Sequence, residues 1–466
     1  MPTPAATLDS ARATPREPPR IAPRHPLGVW PQLREDPVKF LIGAARDHGD
    51  VVAFRIGPIQ AVLLRDPEAI KHVMVDNNHN YDKATRGYDV LRRFLGNGLL
   101  TSEGDFWRRQ RRIAQPAFHR KRIAAFAETM VADTLDMLDA WEPIASQGRT
   151  IDMSHEMMAL TLRIVGKTLL STDVQDAADQ VGAAVTTLNL WADAALDSIL
   201  PIGFPTPSSQ RANAAGKRLD AVIGKIIAQR RAGEPGEDLL GMLMSTKDAE
   251  TGESMTDKQL RDEVMTIFLA GHETTANALS WLFYLLSTHP EVERRVRAEL
   301  DEVLGARPPA LDDLGKLQYL TMVIKEAMRL YPPAWIIDRH AIGEDEVLGY
   351  RIRKNSLVLL SPYVTHRHPG LWPNPEGFDP LRFTPEAEES RARYAYFPFG
   401  GGPRQCIGNG FAMMEAQLIV AAVLQRFRPW LVPGHPVELG PLITLRPAHG
   451  LKMGITRVPS PVLAAE

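Results

Sequence analysis

The sequence predicts a mainly α protein with small β-sheets, and three observations carry that expectation. Apolar residues recur at three- and four-residue spacing through most of Phe106 to Met328, with few strand signals between them. Apolar, β-branched runs are confined to Val51–Pro67 and to about Arg339–Leu360. A proline-free helical pattern runs from Thr256 to about Thr288, long enough to cross a whole domain.

The elements follow in chain order. Eight prolines fall in the stretch that ends at Pro31, so residues 1–31 read as an extended, poorly packed and flexible arm. Residues 32–466 show no internal repeat and no linker, and read as one domain. "VVAFRIGPIQAVLLRDP" reads as a β-hairpin, two apolar runs flanking the turn dipeptide Gly57-Pro58. In the long helix, Thr256 and Gln259 have capping-box spacing. Its middle, "AGHETT" from Ala270 to Thr275, puts a glycine, an acid and hydroxyls into an apolar segment, where they weaken or interrupt the helix. The second β region has a turn at Lys354-Asn355, and a Pro-rich irregular stretch follows it. A final helix from Asn409 to about Arg428 is apolar on most sides and is expected to be buried.

Composition excludes several classes of function. The chain is 44% hydrophobic and 24% charged with a net charge of −2, so nothing draws it as a whole to nucleic acid or to an anionic membrane. No apolar run reaches the roughly 20 residues that a membrane span needs, and the N-terminus lacks a signal-peptide core. A cytoplasmic protein without a membrane anchor is expected. One cysteine can form no internal disulfide and no multi-thiolate metal site.

That cysteine lies in "FGGGPRQCIGNG", Phe399 to Gly410, with five glycines in twelve positions. Glycine lets backbone approach a bulky group closely. The loop runs into a helix, whose positive end favours thiolate, and Arg404 adds a charge two residues away. A phosphate-binding loop would need a Lys-Ser/Thr that is missing. Phe399, Gly402, Cys406 and Gly408 match Phe-x-x-Gly-x-x-x-Cys-x-Gly, and this resembles the haem-ligand loop of the cytochrome P-450 superfamily. The resemblance implies that family's fold, with haem between a long distal helix and a proximal helix that follows the cysteine loop. It also implies Cys406 as the axial ligand to iron, and haem b (iron protoporphyrin IX) as the cofactor.

Other motifs follow in the family's order. Glu326 and Arg329 in "KEAMRLYPP" match Glu-x-x-Arg, and Arg382 in "FDPLRF" supplies the third member of a buried structural trio. Trp107 and Arg111 in "FWRRQRR" share a helix face, and the resemblance makes them partners of a haem propionate, as it does Arg339 and Arg404. "AGHETT" resembles the family's oxygen-activation stretch, which implies Glu273 and Thr274 as its acid and hydroxyl. Such a pair can relay the protons that O–O cleavage consumes. Phe268, Ala270, Ala334 and Ile336 are expected over the haem, and "SILPIGFP" near an access channel.

The resemblance thus implies a monooxygenase: substrate-H, O₂, two electrons and two protons give substrate-OH and water. The substrate is expected to be a hydrophobic small molecule, with fatty acid, terpenoid, steroid and polyketide all open, and hydroxylation and epoxidation alike. Fewer than about 40 residues follow the final helix, too few for a reductase domain. Electrons are expected from a separate ferredoxin or flavodoxin with its NAD(P)H-dependent reductase, for which Arg108, Arg109 and Arg112 offer a basic docking patch. The alternatives are a peroxide-driven peroxygenase, against which the retained Glu273–Thr274 pair argues, and a non-catalytic haem carrier or sensor.

Overall fold

A computed structural model describes residues 15–170, 178–198, 200–233, 238–248 and 250–458. Its main helices are α1 (Pro37–His48), α2 (Arg86–Leu95), α3 (Gly104–Ala114), α4 (Arg120–Ala124), α5 (Ala127–Ser146), α6 (Met153–Leu170), α7 (Ala178–Leu196), α8 (Pro207–Ala232), α9 (Asp257–Thr288), α10 (Pro290–Leu304), α11 (Gln318–Leu330) and α12 (Asn409–Arg426). None is long and apolar enough to cross a membrane among the described residues.

The core is organised around α9. Thr256 and Gln259 close its capping box as the spacing predicts, and its 32 residues span about 48 Å. It packs on α6, α8, α10, α11 and α12, so it is buried on most sides. The expected interruption does not occur: the helix is continuous through Ala270–Thr275. The hydroxyls of this stretch and just beyond it are satisfied inside the helix, where Thr274, Thr275 and Ser280 donate to the carbonyls of Ala270, Gly271 and Ala276. Gly271 has a packing reason as well, because a Cβ there would lie 3.2 Å from Val165 Cγ2 on α6.

A five-stranded sheet flanks the helices, in the order β1–β2–β8–β5–β3: β1 (Val51–Ile56), β2 (Ile59–Leu64), β3 (Tyr81–Asp82), β5 (Ile337–Ala341) and β8 (Leu357–Leu360). The expected hairpin is β1–β2, with Ile56 opposite Ile59 around Gly57 at φ 56°. The second β region holds β5, β8 and between them a small hairpin, β6 (Asp345–Val347) with β7 (Tyr350–Ile352). Asn355 takes positive φ, as a turn at Lys354-Asn355 requires.

The arm is extended but not poorly packed from residue 15 onward. Ala53 N–H donates to the Pro19 carbonyl at 2.8 Å, and Ile21 N–H to the Ala53 carbonyl at 2.9 Å. Arg16 bridges to Tyr350. The bonds of Pro19 and Ile21 cover β1, the edge strand, whose free N–H and C=O groups would otherwise face solvent. Residues 1–14 lie outside the described residues.

The C-terminal strands are the part that helical periodicity did not announce. β4 (Thr150–Asp152), β12 (Lys452–Arg457) and β9 (Phe427–Leu431) form one sheet, so the last two residues expected in the final helix begin β9 instead. β10 (Leu439–Pro441) and β11 (Leu445–Pro447) make a short hairpin whose turn reaches α9. Two indoles anchor that turn: Trp335 Nε1 donates to the Leu442 carbonyl at 2.9 Å and Trp281 Nε1 to the Leu445 carbonyl at 3.0 Å.

Candidate active site

The cysteine loop leads into α12, with Gly408 as its N-cap residue. Cys406 N–H donates to the Phe399 carbonyl at 2.9 Å and closes the loop on itself. Part of the glycine run serves the protein's own packing. Gly402 sits at φ 62°, and a Cβ there would lie 1.9 Å from the Met74 carbonyl oxygen; at Gly401 it would lie 2.3 Å from the Tyr394 ring. Gly408 differs, with nothing closer than Phe118 Cε1 at 3.8 Å.

Cys406 is exposed, yet protein surrounds it closely enough that burial pushes its thiol up from the ordinary value. The Gly408 N–H and Arg111 pull it back only in part. Among the described residues, no cluster of three or more His, Cys, Asp or Glu could hold a metal ion. The sulfur therefore offers one bond to a metal whose remaining ligands must come with it. Haem iron meets that requirement.

On α9, Ala270 is exposed while Gly271, Thr274 and Ala278 are half-buried, in a helix otherwise closed over most of its length. These positions share one face at helical spacing. Thr274 commits its proton to the Ala270 carbonyl at 2.7 Å, which leaves its oxygen as an acceptor on that accessible face. Phe268 is not on it. The ring is 1% exposed and packs beside His272, a turn along the opposite face, so the expectation that Phe268 lines the pocket is corrected by the helical period. Ala334 is half-buried, and Ile336 packs against the cluster that contains Trp335 and Leu359.

Among the described residues, Glu273 bonds neither Thr274 nor a cation. Its Oε1 accepts from Asn189 Nδ2 at 2.8 Å and from Thr444 Oγ1 at 2.7 Å. Neighbouring residues on a helix point about 100° apart, so a carboxylate and a hydroxyl in sequence do not meet directly.

A cluster of cations gathers beside the cysteine loop. The Arg404 guanidinium lies 3.8 Å over the Trp107 ring, donates to the Ser102 carbonyl at 2.9 Å and pairs with Glu103. Burial pushes its pKa down to about 10. Arg339, 8% exposed, reaches Tyr88 Oη at 3.4 Å. Lys83 completes the group, a residue that sequence reasoning missed. It is 4% exposed, donates to the Leu100 carbonyl at 2.6 Å, and lies over the Tyr88 ring at 4.9 Å. Burial, then Arg339 and Arg404, hold its pKa well below the ordinary value. Three basic side chains with only Glu103 and Asp338 nearby leave the cluster short of negative charge, and a porphyrin carboxylate would fit that deficit. Arg111 stands apart from them: its Nη1 donates to the Gln405 carbonyl at 3.0 Å, beside Cys406, because its long side chain reaches past the face shared with Trp107. Nothing in the residue pattern marked Lys83, since a lone lysine after a strand is ordinarily solvated. If the cluster holds propionates, Lys83→Met will release haem to apomyoglobin about tenfold faster or more, the size expected for losing one charged hydrogen bond.

The basic patch expected at Arg108, Arg109 and Arg112 is largely neutralised. Arg108 pairs with Asp105, Arg109 with Glu253 at 3.3 Å, and Arg112 with Asp248 and Glu250 at 3.0 Å each. Arg120, Lys121 and Arg122 on α4 are exposed and have no ion-pair partner among the described residues.

The sequence matches the profile of the family described as Cytochrome P450 over residues 18–447. It is 41% identical to cyclooctatin synthase of Streptomyces melanosporofaciens, with 89% of this chain and 90% of that protein covered. It is 38% identical to cyclooctat-9-en-7-ol 5-monooxygenase of the same organism, with 88% of each covered. It is 35% identical to pentalenene oxygenase of Streptomyces avermitilis, with 92% and 94% covered. The crystal structure of the cytochrome P450DA haem domain superposes with a TM-score of 0.87 at 26% identity, covering 96% of this chain and 99% of that one. Fold and site therefore define a haem-thiolate oxygenase. The chain belongs to the cytochrome P450 family, whose members incorporate molecular oxygen into hydrophobic substrates.

Proposed function

We propose that this protein hydroxylates or epoxidises a terpenoid, with haem b held by residues 32–466 and electrons delivered by a separate ferredoxin or flavodoxin and its NAD(P)H-dependent reductase. The observation that carries the reading is one exposed thiol, that of Cys406, beside a cluster of buried cations short of negative charge. Cys406 would ligate iron. Arg404, Arg339 and Lys83 would hold the propionates, with Trp107 stacked beneath Arg404, and Arg111 would brace the loop at Gln405. When bound, thiolate-ligated haem supplies the activation of dioxygen.

The protein's own part is to position, to exclude water and to move protons. Ala270 leaves room over the site, and the Thr274 oxygen accepts a hydrogen bond there. Glu273 supplies protons from the same helix through ordered water. Among the substrate classes the sequence left open, terpenoid draws support from relatives named as oxygenases of pentalenene and of cyclooctat-9-en-7-ol, both unsaturated carbocycles. Arg120, Lys121 and Arg122 are a better candidate than Arg108–Arg112 for docking an acidic electron donor, because their charge is not already paired.

A panel of cyclic terpenes and of fatty acids, screened by Soret shift and then by turnover with a surrogate ferredoxin and reductase, tests this reading. Oxygenated terpene made from NADPH and O₂ is expected. Turnover with peroxide alone would overturn the monooxygenase assignment, and no turnover under any condition would favour a carrier or sensor. Thr274→Ala is expected to keep haem and to send most reducing equivalents to hydrogen peroxide, measured as the ratio of peroxide formed to NADPH consumed.

A further inference from the structure

Four side chains from three elements form a buried polar cluster that no motif announces. Asn189 stands on α7, Glu273 and Asn277 on α9, and Thr444 in the β10–β11 turn. Their exposures are 5%, 7%, 3% and 6%. Asn277 Nδ2 donates to Thr444 Oγ1 at 3.0 Å. The Thr444 hydroxyl, accepting from that side, turns its proton to Glu273 Oε1 at 2.7 Å, and Asn189 Nδ2 donates to the same oxygen at 2.8 Å. Both bonds fall on Oε1, and Oε2 has no hydrogen-bond partner among the described residues.

We propose that Thr444 and Asn189 are positioning residues for Glu273: they clamp one carboxylate oxygen and leave the other free to bond water. A carboxylate without a cation in a buried site must be oriented by neutral donors, and two donors on one oxygen fix the plane of the group. The two donors differ in stiffness. Thr444 is a fixed post, since Trp335 and Trp281 hold the carbonyls on either side of it and Leu445 N–H donates to the Pro333 carbonyl at 2.9 Å. Asn189 is carried by α7, so the clamp is complete only when α7 lies against α9. The role for Glu273 itself rests on the function proposed above.

The test uses the haem-loaded protein with Thr444→Val, which removes the hydroxyl at nearly constant volume, and Thr444→Ser, which restores it. The infrared carboxylate band of Glu273 is identified by its loss in Glu273→Gln. That band is expected to shift in Thr444→Val and to return in Thr444→Ser, while the carbon monoxide spectrum stays unchanged. The share of NADPH electrons released as peroxide should rise several-fold in Thr444→Val and should rise no further when Thr444→Val is added to Glu273→Gln. An unmoved carboxylate band, or a full additional effect in the Glu273→Gln background, would overturn the proposal. If Thr444→Val does not fold, Asn189→Leu removes the other donor to the same oxygen and is read in the same way. Normal coupling in Glu273→Gln would remove the acid from the proposed function, and the infrared band would still decide whether Thr444 positions it.

Discussion

Cys406→Ala will abolish the red-shifted carbon monoxide band of the reduced protein, the largest single effect expected of any substitution here. Cys406 is the chain's only cysteine, so no second thiolate can take its place. The loop itself should survive the change. Its closure depends on the backbone bond from Cys406 N–H to the Phe399 carbonyl, and alanine retains that N–H. If Lys83, Arg339 and Arg404 hold the propionates as proposed, some haem will remain bound, without a sulfur ligand. Optical spectra of the reduced, carbon monoxide-treated variant check this. A retained red shift would mean that sulfur is not the ligand.

Glu326→Ala will destabilise the protein by about 3–5 kcal/mol, the cost of leaving a buried charge without its partner. Arg329 is 0% exposed and grips Glu326 through two bonds, Nε to Oε2 at 2.6 Å and Nη2 to Oε1 at 2.8 Å. Its remaining N–H groups donate to the carbonyls of His366, Pro375 and Gly377, at 2.8, 2.6 and 2.8 Å. Asp379 N–H and the Arg382 guanidinium approach Glu326 from the other side, at 2.9 and 3.4 Å. The segment so tied continues to His366, whose Nε2 accepts from Phe397 N–H at 3.0 Å, two residues before the cysteine loop begins. Loss of the glutamate should therefore show in both the unfolding midpoint and the Soret absorbance. Glu388→Ala is the control. It removes a pair with Lys325 that is about one-third exposed, and should cost no more than about 1 kcal/mol.

That contrast measures what a motif can say. Glu326–Arg329 and Glu388–Arg391 have the same spacing, and only one is a buried bidentate pair. The Arg391 guanidinium lies over the Trp372 ring at 4.4 Å instead. Three residues fix a spacing, but whether the intervening turn is covered by other chain is a property of distant segments. The same limit applied at the site. Cys406 and Thr274 stood out because glycine density and polar flaws in an apolar helix are local signals, and Arg339 and Arg404 because the family resemblance implied them. Lys83, Asn189 and Thr444 did not, since each is ordinary in its own stretch and becomes informative only through distant partners: Glu273 lies 84 residues from Asn189 and 171 from Thr444, and Lys83 meets Arg339 and Arg404.

The sequence alone determined the helical class, the capped helix from Thr256 to Thr288, the β1–β2 hairpin and the loop that carries the sulfur. Each of these follows from contacts within a few residues, where periodicity, capping and turn chemistry act. Only the tertiary structure decided that Phe268 faces the core, that Glu273 turns to Asn189 and Thr444, that Arg109 and Arg112 are already paired, and that the arm seals a sheet edge. Those outcomes depend on which surfaces meet. Burial and pairing are set by the whole packed chain, and no local pattern encodes them.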